Sequence, residues 1–213
     1  MLIVGLSILN IFQTVQFHIG VIDADRMTKD YYFKVFGKLT VNENDRKLLL
    51  VNRTFSDMEL MDSEMDYSSK LLQKMDFENL SLKDSSQGYN SKHSFLINNS
   101  IKFSPTISAT YDQITHKDHA WVKVTAYVYP TKDVMKYPFN LIVCFNHNEY
   151  PYKYIRYASS KMNISLNKWN KIEFYYLTPE VRSKKDYLKV YFENEKESNV
   201  FIDDLEVNVY ERK

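Results

Sequence analysis

The chain has 213 residues, and 28 Lys and Arg against 27 Asp and Glu leave a formal charge of +1, with no long basic stripe to indicate nucleic acid. One cysteine, Cys144, excludes an intrachain disulfide framework, and only 4 glycines argue against a Gly-rich phosphate-cradling loop. Aromatic residues make up 15%, including 17 Tyr and 13 Phe, which suits pleated, half-buried surfaces better than helix bundles.

Residues 1–12 (MLIVGLSILNIF) are almost continuously apolar, interrupted only by Ser7 and Asn10. A spanning helix takes ~20 predominantly apolar residues, so the run reads as the second half of a transmembrane helix. It lacks the basic start and small-residue cleavage site of a signal peptide. A buried amphipathic helix and an uncleaved weak signal are the other readings. Next, Asp23 or Asp25 is placed to cap a helix whose apolar positions Met27, Tyr31 and Val35 recur every four residues. Gly37 is a natural residue to end it. Together, residues 9–20 and 25–32 resemble the end of bacterial multipass membrane proteins of the glycosyltransferase type. The resemblance implies a last membrane helix, a juxtamembrane helix and a soluble tail, with the catalytic part absent and this chain a C-terminal piece.

Residues 39–75 read as a connector. The acidic, Met-rich run 56–66 has no clean period, and 68–75 is long enough for one or two helical turns. From residue 76 the period becomes two. Candidate strands are 76–80, 93–97, 105–111, 120–129, 139–145, 152–159, 171–177, 186–193 and 199–210, with turn-forming clusters such as 84–88 and 194–198 between them. Many short strands with no helical pattern between them predict an all-β sandwich or barrel.

In the last strand Phe201, Leu205, Val207 and Val209 share one parity, and Asp204, Glu206 and Asn208 the other. This alternation predicts a half-buried strand. Asp203 falls on the apolar parity, where a carboxylate needs a cation or several donors. The Ile-Asp-Asp-Leu-x-Val ending, with Phe77-Glu-Asn79 and residues 88–96 near the start, resembles the jelly-roll carbohydrate-binding modules, a galactose-binding-like β-sandwich. The resemblance implies an inward Asp that helps hold a structural calcium. Glu78 and Asp203 are its candidate ligands, because the first and last strands of a jelly roll can lie side by side, and calcium takes carboxylate oxygens. Asp76 and Asp204 stand in reserve should the parity slip by one. The competing reading has Asp203 capping the donors of a neighbouring loop.

Residues 120–130 put Val122, Val124, Ala126 and Val128 on one face and Trp121, Lys123, Thr125, Tyr127 and Tyr129 on the other. Flat rings beside polar groups are what a sugar surface needs, while cross-strand packing of the same rings needs no ligand. Both readings stand. Tyr152 and Tyr154 share a parity on a later strand, as do Tyr187 and Tyr191 on another. His116 and His119 form an H-x-x-H without a third zinc ligand, which reads as a solvated loop. No nucleophile elbow, HExxH or catalytic triad order appears.

The sequence is therefore expected to hold the end of a transmembrane or membrane-associated helix (1–22), a juxtamembrane helix and acidic linker (23–75) and a jelly-roll β-sandwich (76–213). The expected role is non-catalytic recognition of a glycan or glycolipid by a membrane-anchored envelope protein whose β domain is extracytoplasmic. The alternative is a structural or protein-interaction domain with no sugar site. Arg26, Lys29, Lys34 and Lys38 would lie in the cytoplasm by the positive-inside rule, whereas the membrane-protein resemblance places the tail outside.

Overall fold

The computed structural model describes residues 2–24, 26–49, 61, 63–78, 88–179, 181 and 183–213. It divides into two compact units, residues 1–56 and 57–213.

In the first unit α1 spans Leu2–His18, and its apolar side chains are widely exposed, Ile3 at 79% and Ile11 at 66% among them. No described helix is long and apolar enough to cross a membrane. α2 (Lys29–Val35) is capped by Thr28, whose Oγ1 accepts from the Tyr31 N–H at 3.0 Å. The expected cap does not form. Asp23 instead accepts from the Arg26 N–H at 2.9 Å, and Asp25 lies outside the described residues. Gly37 has φ +78 and ends the helix as expected, in the left-handed region that favours glycine. α3 (Glu43–Arg46) is capped by Asn42. A small core of Val21, Tyr31, Val35 and Leu49 joins these pieces, and the buried Gln16 amide donates to the Val35 and Lys38 carbonyls at 3.1 and 2.7 Å.

The second unit is the jelly-roll β-sandwich. Its strands are β1 (Tyr67–Met75), β2 (Phe95–Ile97), β3 (Ile107–Thr110), β4 (Trp121–Pro130), β5 (Phe139–His147), β6 (Tyr150–Ala158), β7 (Asn170–Leu177), β8 (Tyr187–Asn194) and β9 (Val200–Arg212). One sheet runs β1-β9-β4-β7 with β2 also on β9, the other β3-β8-β5-β6, and every pairing is antiparallel. Their inner faces interleave Val122, Val124, Ala126 and Val128 with Phe139, Leu141, Val143, Phe145 and Phe192, all at most 1% exposed. Burying each such chain is worth about 1.5–3 kcal/mol.

Every candidate strand from 93 onward has a counterpart. The start differs. Residues 76–78 are not a strand, 79–80 lie outside the described residues, and the sheet begins at Tyr67 within the expected linker. β1 escapes a period-two reading because it is largely exposed, and its register shifts between Leu71 and Gln73.

β9 also departs from simple alternation. β4 residues Thr125 and Tyr127 pair with Glu206 and Asp203, so β9 carries a bulge, and Asp204 takes φ +46. Parity switches there. Val200 and Ile202 point into the core before the bulge, Leu205, Val207 and Val209 after it, and Phe201 turns outward rather than inward as its parity predicts.

Candidate functional site

The two outer faces of the sandwich carry its polar–aromatic chemistry. The face of the β1-β9-β4-β7 sheet holds the predicted site residues, and the structure separates them. Trp121 is only 1% exposed and its indole N–H has no partner among the described residues, so it is buried rather than a surface ring. Its neighbours across the sheet are Leu177 and Tyr210, and that end of the face is closed to solvent at Trp121. Lys123 is committed within the chain. Its Nζ lies 2.7 Å from Glu64 Oε1 and 3.7 Å from Glu173 Oε1. Burial alone would lower the Lys123 pKa, but hydrogen bonds with Glu64 and Tyr175 raise it overall. Lys123, Thr125 and Tyr127 do share one groove of about 410 Å³, also lined by Lys74, Asn208 and Tyr210.

At the far end of that face Tyr127 stacks on Tyr89 with centroids 3.6 Å apart and an interplanar angle of 15°. Trp169 meets Tyr89 and Tyr129 edge-on at 5.8 and 5.6 Å, and Phe201 lies 6.2 Å from Tyr129. These rings mostly cover one another; Tyr89 is the most exposed at 36%. Trp169 and Tyr89 come from connecting segments, so no strand periodicity could have grouped them with Tyr127 and Tyr129.

The candidate metal ligands sit beside the segment 88–93, and both hold its donors. Asp203 is fully buried. Its Oδ2 accepts from the Tyr89 N–H at 2.7 Å and the Ser91 hydroxyl at 2.9 Å, and its Oδ1 from the Asp204 N–H at 2.8 Å. Burial pushes its pKa up, against the pull of those bonds. Glu78 Oε1 accepts from the His93 N–H at 2.7 Å, which holds its carboxyl below the usual value. Gly88 fits this turn because a Cβ there would come within 2.2 Å of the Ser91 carbonyl oxygen. The reserve ligands serve structure too: Asp76 accepts from the Glu78 N–H at 3.2 Å, and Asp204 pairs with Lys74 at 2.7 Å. Among the described residues no three His, Cys, Asp or Glu side chains converge on a metal position. Calcium takes six to eight oxygens, so two carboxylates occupied with N–H and O–H donors are an incomplete set.

The outer face of the β3-β8-β5-β6 sheet is different. Its central strand β5 presents Asn140, Ile142, Cys144 and Asn146, all at most 4% exposed. Register sets Tyr191 and Arg156 on either side of Ile142, and Lys189 and Tyr154 on either side of Cys144. Phe103 meets Tyr191 edge-on at 6.0 Å. Here rings are open: Phe103 is 54% exposed and Tyr154 44%. Polar groups sit among them. Arg156 pairs with Glu193 at 3.1 Å, and the Asn140 amide donates to Glu195 at 3.0 Å while its Oδ1 is buried without a partner among the described residues. Phe103, Thr106, Ser108, Lys189 and Tyr191 line a shallow depression of about 480 Å³. Burial pushes the Tyr191 phenol up to about 12, so it stays a neutral hydrogen-bonding group at physiological pH. Parity had grouped Tyr187 with Tyr191 and Tyr152 with Tyr154; the fold places Tyr191 and Tyr154 on either side of β5, whereas a register shift turns Tyr152 towards the core.

The histidines serve local structure. His116 lies 3.5 Å from Asp112, and His147 contacts the buried Asp186 at 2.7 Å, which also accepts from the Tyr152 hydroxyl at 3.0 Å.

No protein-family model and no curated protein matches the chain. Solved structures do. The CBM22-1 xylan-binding domain of Paenibacillus barcinonensis Xyn10C matches with a TM-score of 0.44 and 15% identity, over 67% of this chain and 96% of that one. The CBM22-2 xylan-binding domain of the same protein gives 0.46 and 15%, over 64% and 98%. The CBM22-1–GH10 modules of Clostridium thermocellum Xyn10B, complexed with xylohexaose, give 0.42 and 12%, over 70% of this chain and 26% of that one. At such identities these are likenesses of fold.

Proposed function

We propose that this chain is a non-catalytic glycan-binding protein whose contact surface is the outer face of the β3-β8-β5-β6 sheet. One observation carries the reading. Exposed rings (Phe103, Tyr154) border a shallow floor flanked by charged groups (Lys189, Arg156, Glu193). Ring faces stack on apolar C–H faces of sugars, and the polar groups between them supply direction. An open face buries little of its ligand, so affinity is weak, roughly −4 to −6 kcal/mol or millimolar to high micromolar. The double substitution Tyr154→Ala/Phe103→Ala is expected to abolish retention on a glycan array with an unchanged melting curve. Wild-type protein retained by no glycan rejects the reading and favours the structural or protein-interaction alternative.

Two further parts belong to the proposal. The exposed apolar helix α1 tethers the chain to a membrane of the cell envelope, with the sandwich on its outer side, as the tail of a multipass envelope protein. Calcium is the other part: with the Tyr89, Ser91 and His93 donors turned away, Glu78 and Asp203 would supply two hard ligands, and further oxygens would have to complete the set. A melting temperature that rises with calcium in wild type but not in Asp203→Asn supports that site, and an unchanged transition after exhaustive chelation rejects it.

A further inference from the structure

The opposite face, which the glycan reading does not use, has an unusual occupant. Glu64 belongs to a single 3₁₀ turn, Glu64–Asp66, that buries none of its residues; Met65 is 84% exposed. The Glu64 carboxylate nevertheless collects three donors. Lys123 Nζ and the Tyr175 hydroxyl reach Oε1 at 2.7 and 2.5 Å, and the Tyr210 hydroxyl reaches Oε2 at 3.4 Å. Those donors owe their positions to sheet register rather than to Glu64. Lys123 lies directly opposite Tyr175, and Tyr210 lies opposite Trp121 one rung along. A cation flanked by two phenols is a carboxylate receptor: ion pair plus hydroxyl hydrogen bonds, all from rigid strands. Trp121 beside it adds a buried indole N–H that has no partner among the described residues.

We propose that Lys123, Tyr175 and Tyr210 form a binding seat for the carboxylate of an acidic glycan, and that Glu64 fills the seat in cis as a displaceable plug. The surroundings favour a sugar acid over an acidic peptide. Lys123 and Tyr210 line the groove of about 410 Å³ that continues through Asn208 and Thr125 to Tyr127, where the carboxylates of Asp204 and Glu173 are paired with Lys74 and Lys171. That lining supplies hydroxyl, amide and ring groups of the kind sugar hydroxyls and C–H faces meet, and no apolar pocket for a peptide side chain. The plug is open to solvent, since the Glu64 side chain is 43% exposed, and the turn itself is held separately by Lys213, which donates to the Asp66 and Met65 carbonyls at 3.1 and 2.9 Å, so the carboxylate can leave the seat without the turn leaving the sheet. Lys123, then Tyr175, hold the Glu64 carboxyl below its usual value, so it competes as an anion. Removing the plug leaves Lys123 with Glu173 at 3.7 Å, too long to replace a contact at 2.7 Å.

The test uses the full chain and titration calorimetry. The probes are an oligogalacturonide, the neutral galacto-oligosaccharide of the same length, and a glutamate-rich peptide. Glu64→Ala is expected to bind the acidic sugar at least about tenfold tighter than wild type and the neutral sugar no tighter. Lys123→Met added to Glu64→Ala is expected to erase the gain. Glu64→Gln, which keeps the shape and loses the charge, carries the comparison should Glu64→Ala not fold. Folded Glu64 variants that bind no tighter than wild type overturn the proposal. So does equal gain for the neutral sugar, or a peptide bound as tightly as the sugar acid. None of these outcomes depends on the other face.

Discussion

Two buried side chains show how a residue's surroundings overrule its place in a pattern. Trp121 shares parity with Lys123, Thr125, Tyr127 and Tyr129, and parity correctly puts all five on one face. It does not reveal that one end of that face is closed, because closure depends on which residues register brings alongside. Trp121→Ala is expected to cost about 3–5 kcal/mol, the range for emptying a large core site. Trp121→Phe is expected to cost much less, since it removes an N–H that has no partner among the described residues. Urea denaturation of the two variants decides it, and equal, small losses would sink the burial argument. Asp203 was legible as an anomaly, a carboxylate on the apolar parity, and its donors proved to belong to the neighbouring segment. Asp203→Asn turns one acceptor into a donor facing N–H or O–H groups, so a loss of about 1–3 kcal/mol is expected by the same measurement. Glu64 adds a pH signature. Its folded pKa lies below the ordinary 4.5, so its contribution is present above the unfolded value and disappears as the pH falls through the folded one. Acid titration should therefore show a shallower loss of stability below about pH 4.5 in Glu64→Gln than in wild type. The effect is small, because the side chain is 43% exposed and screened.

Among the elements, strands such as β4, β8 and β9 were legible because each buries one side against the opposing sheet, which is what period two encodes, while β5, buried on both sides, reads as a short apolar run. β1 was not, since an exposed edge strand with a shifted register has little burial to encode. The bulge in β9 is a subtler case. Val200 and Ile202 fall on one parity and Leu205, Val207 and Val209 on the other, with two aspartates at the switch. That change of phase was the available signal. It predicts opposite outcomes for adjacent residues. Ile202→Ala should cost about 2–5 kcal/mol, whereas Phe201→Ala, on the outer face, should cost clearly less. The reverse order in denaturant melts would show a strand without the bulge.

For the molecule as a whole, the two units have separate cores, so removing the first should leave the second intact. A fragment of residues 63–213 is expected to melt at the temperature of the sandwich transition in the full chain. Co-sedimentation with lipid vesicles should retain the full chain and not the fragment; equal behaviour of both removes the tether. The apolar run was legible in composition, whereas its small helical companion core depended on contacts of Gln16 and Tyr31 that no periodicity reports. The sandwich also carries its own clock. Cys144, the only cysteine, lies on the floor of the face beside Tyr154 and Lys189, 3% exposed, with burial raising its pKa. A neutral, covered thiol reacts only in the moments when its cover lifts. The rate at which a thiol reagent modifies native protein therefore counts those openings at one position, and a sugar seated over Tyr154 and Tyr191 should slow the count.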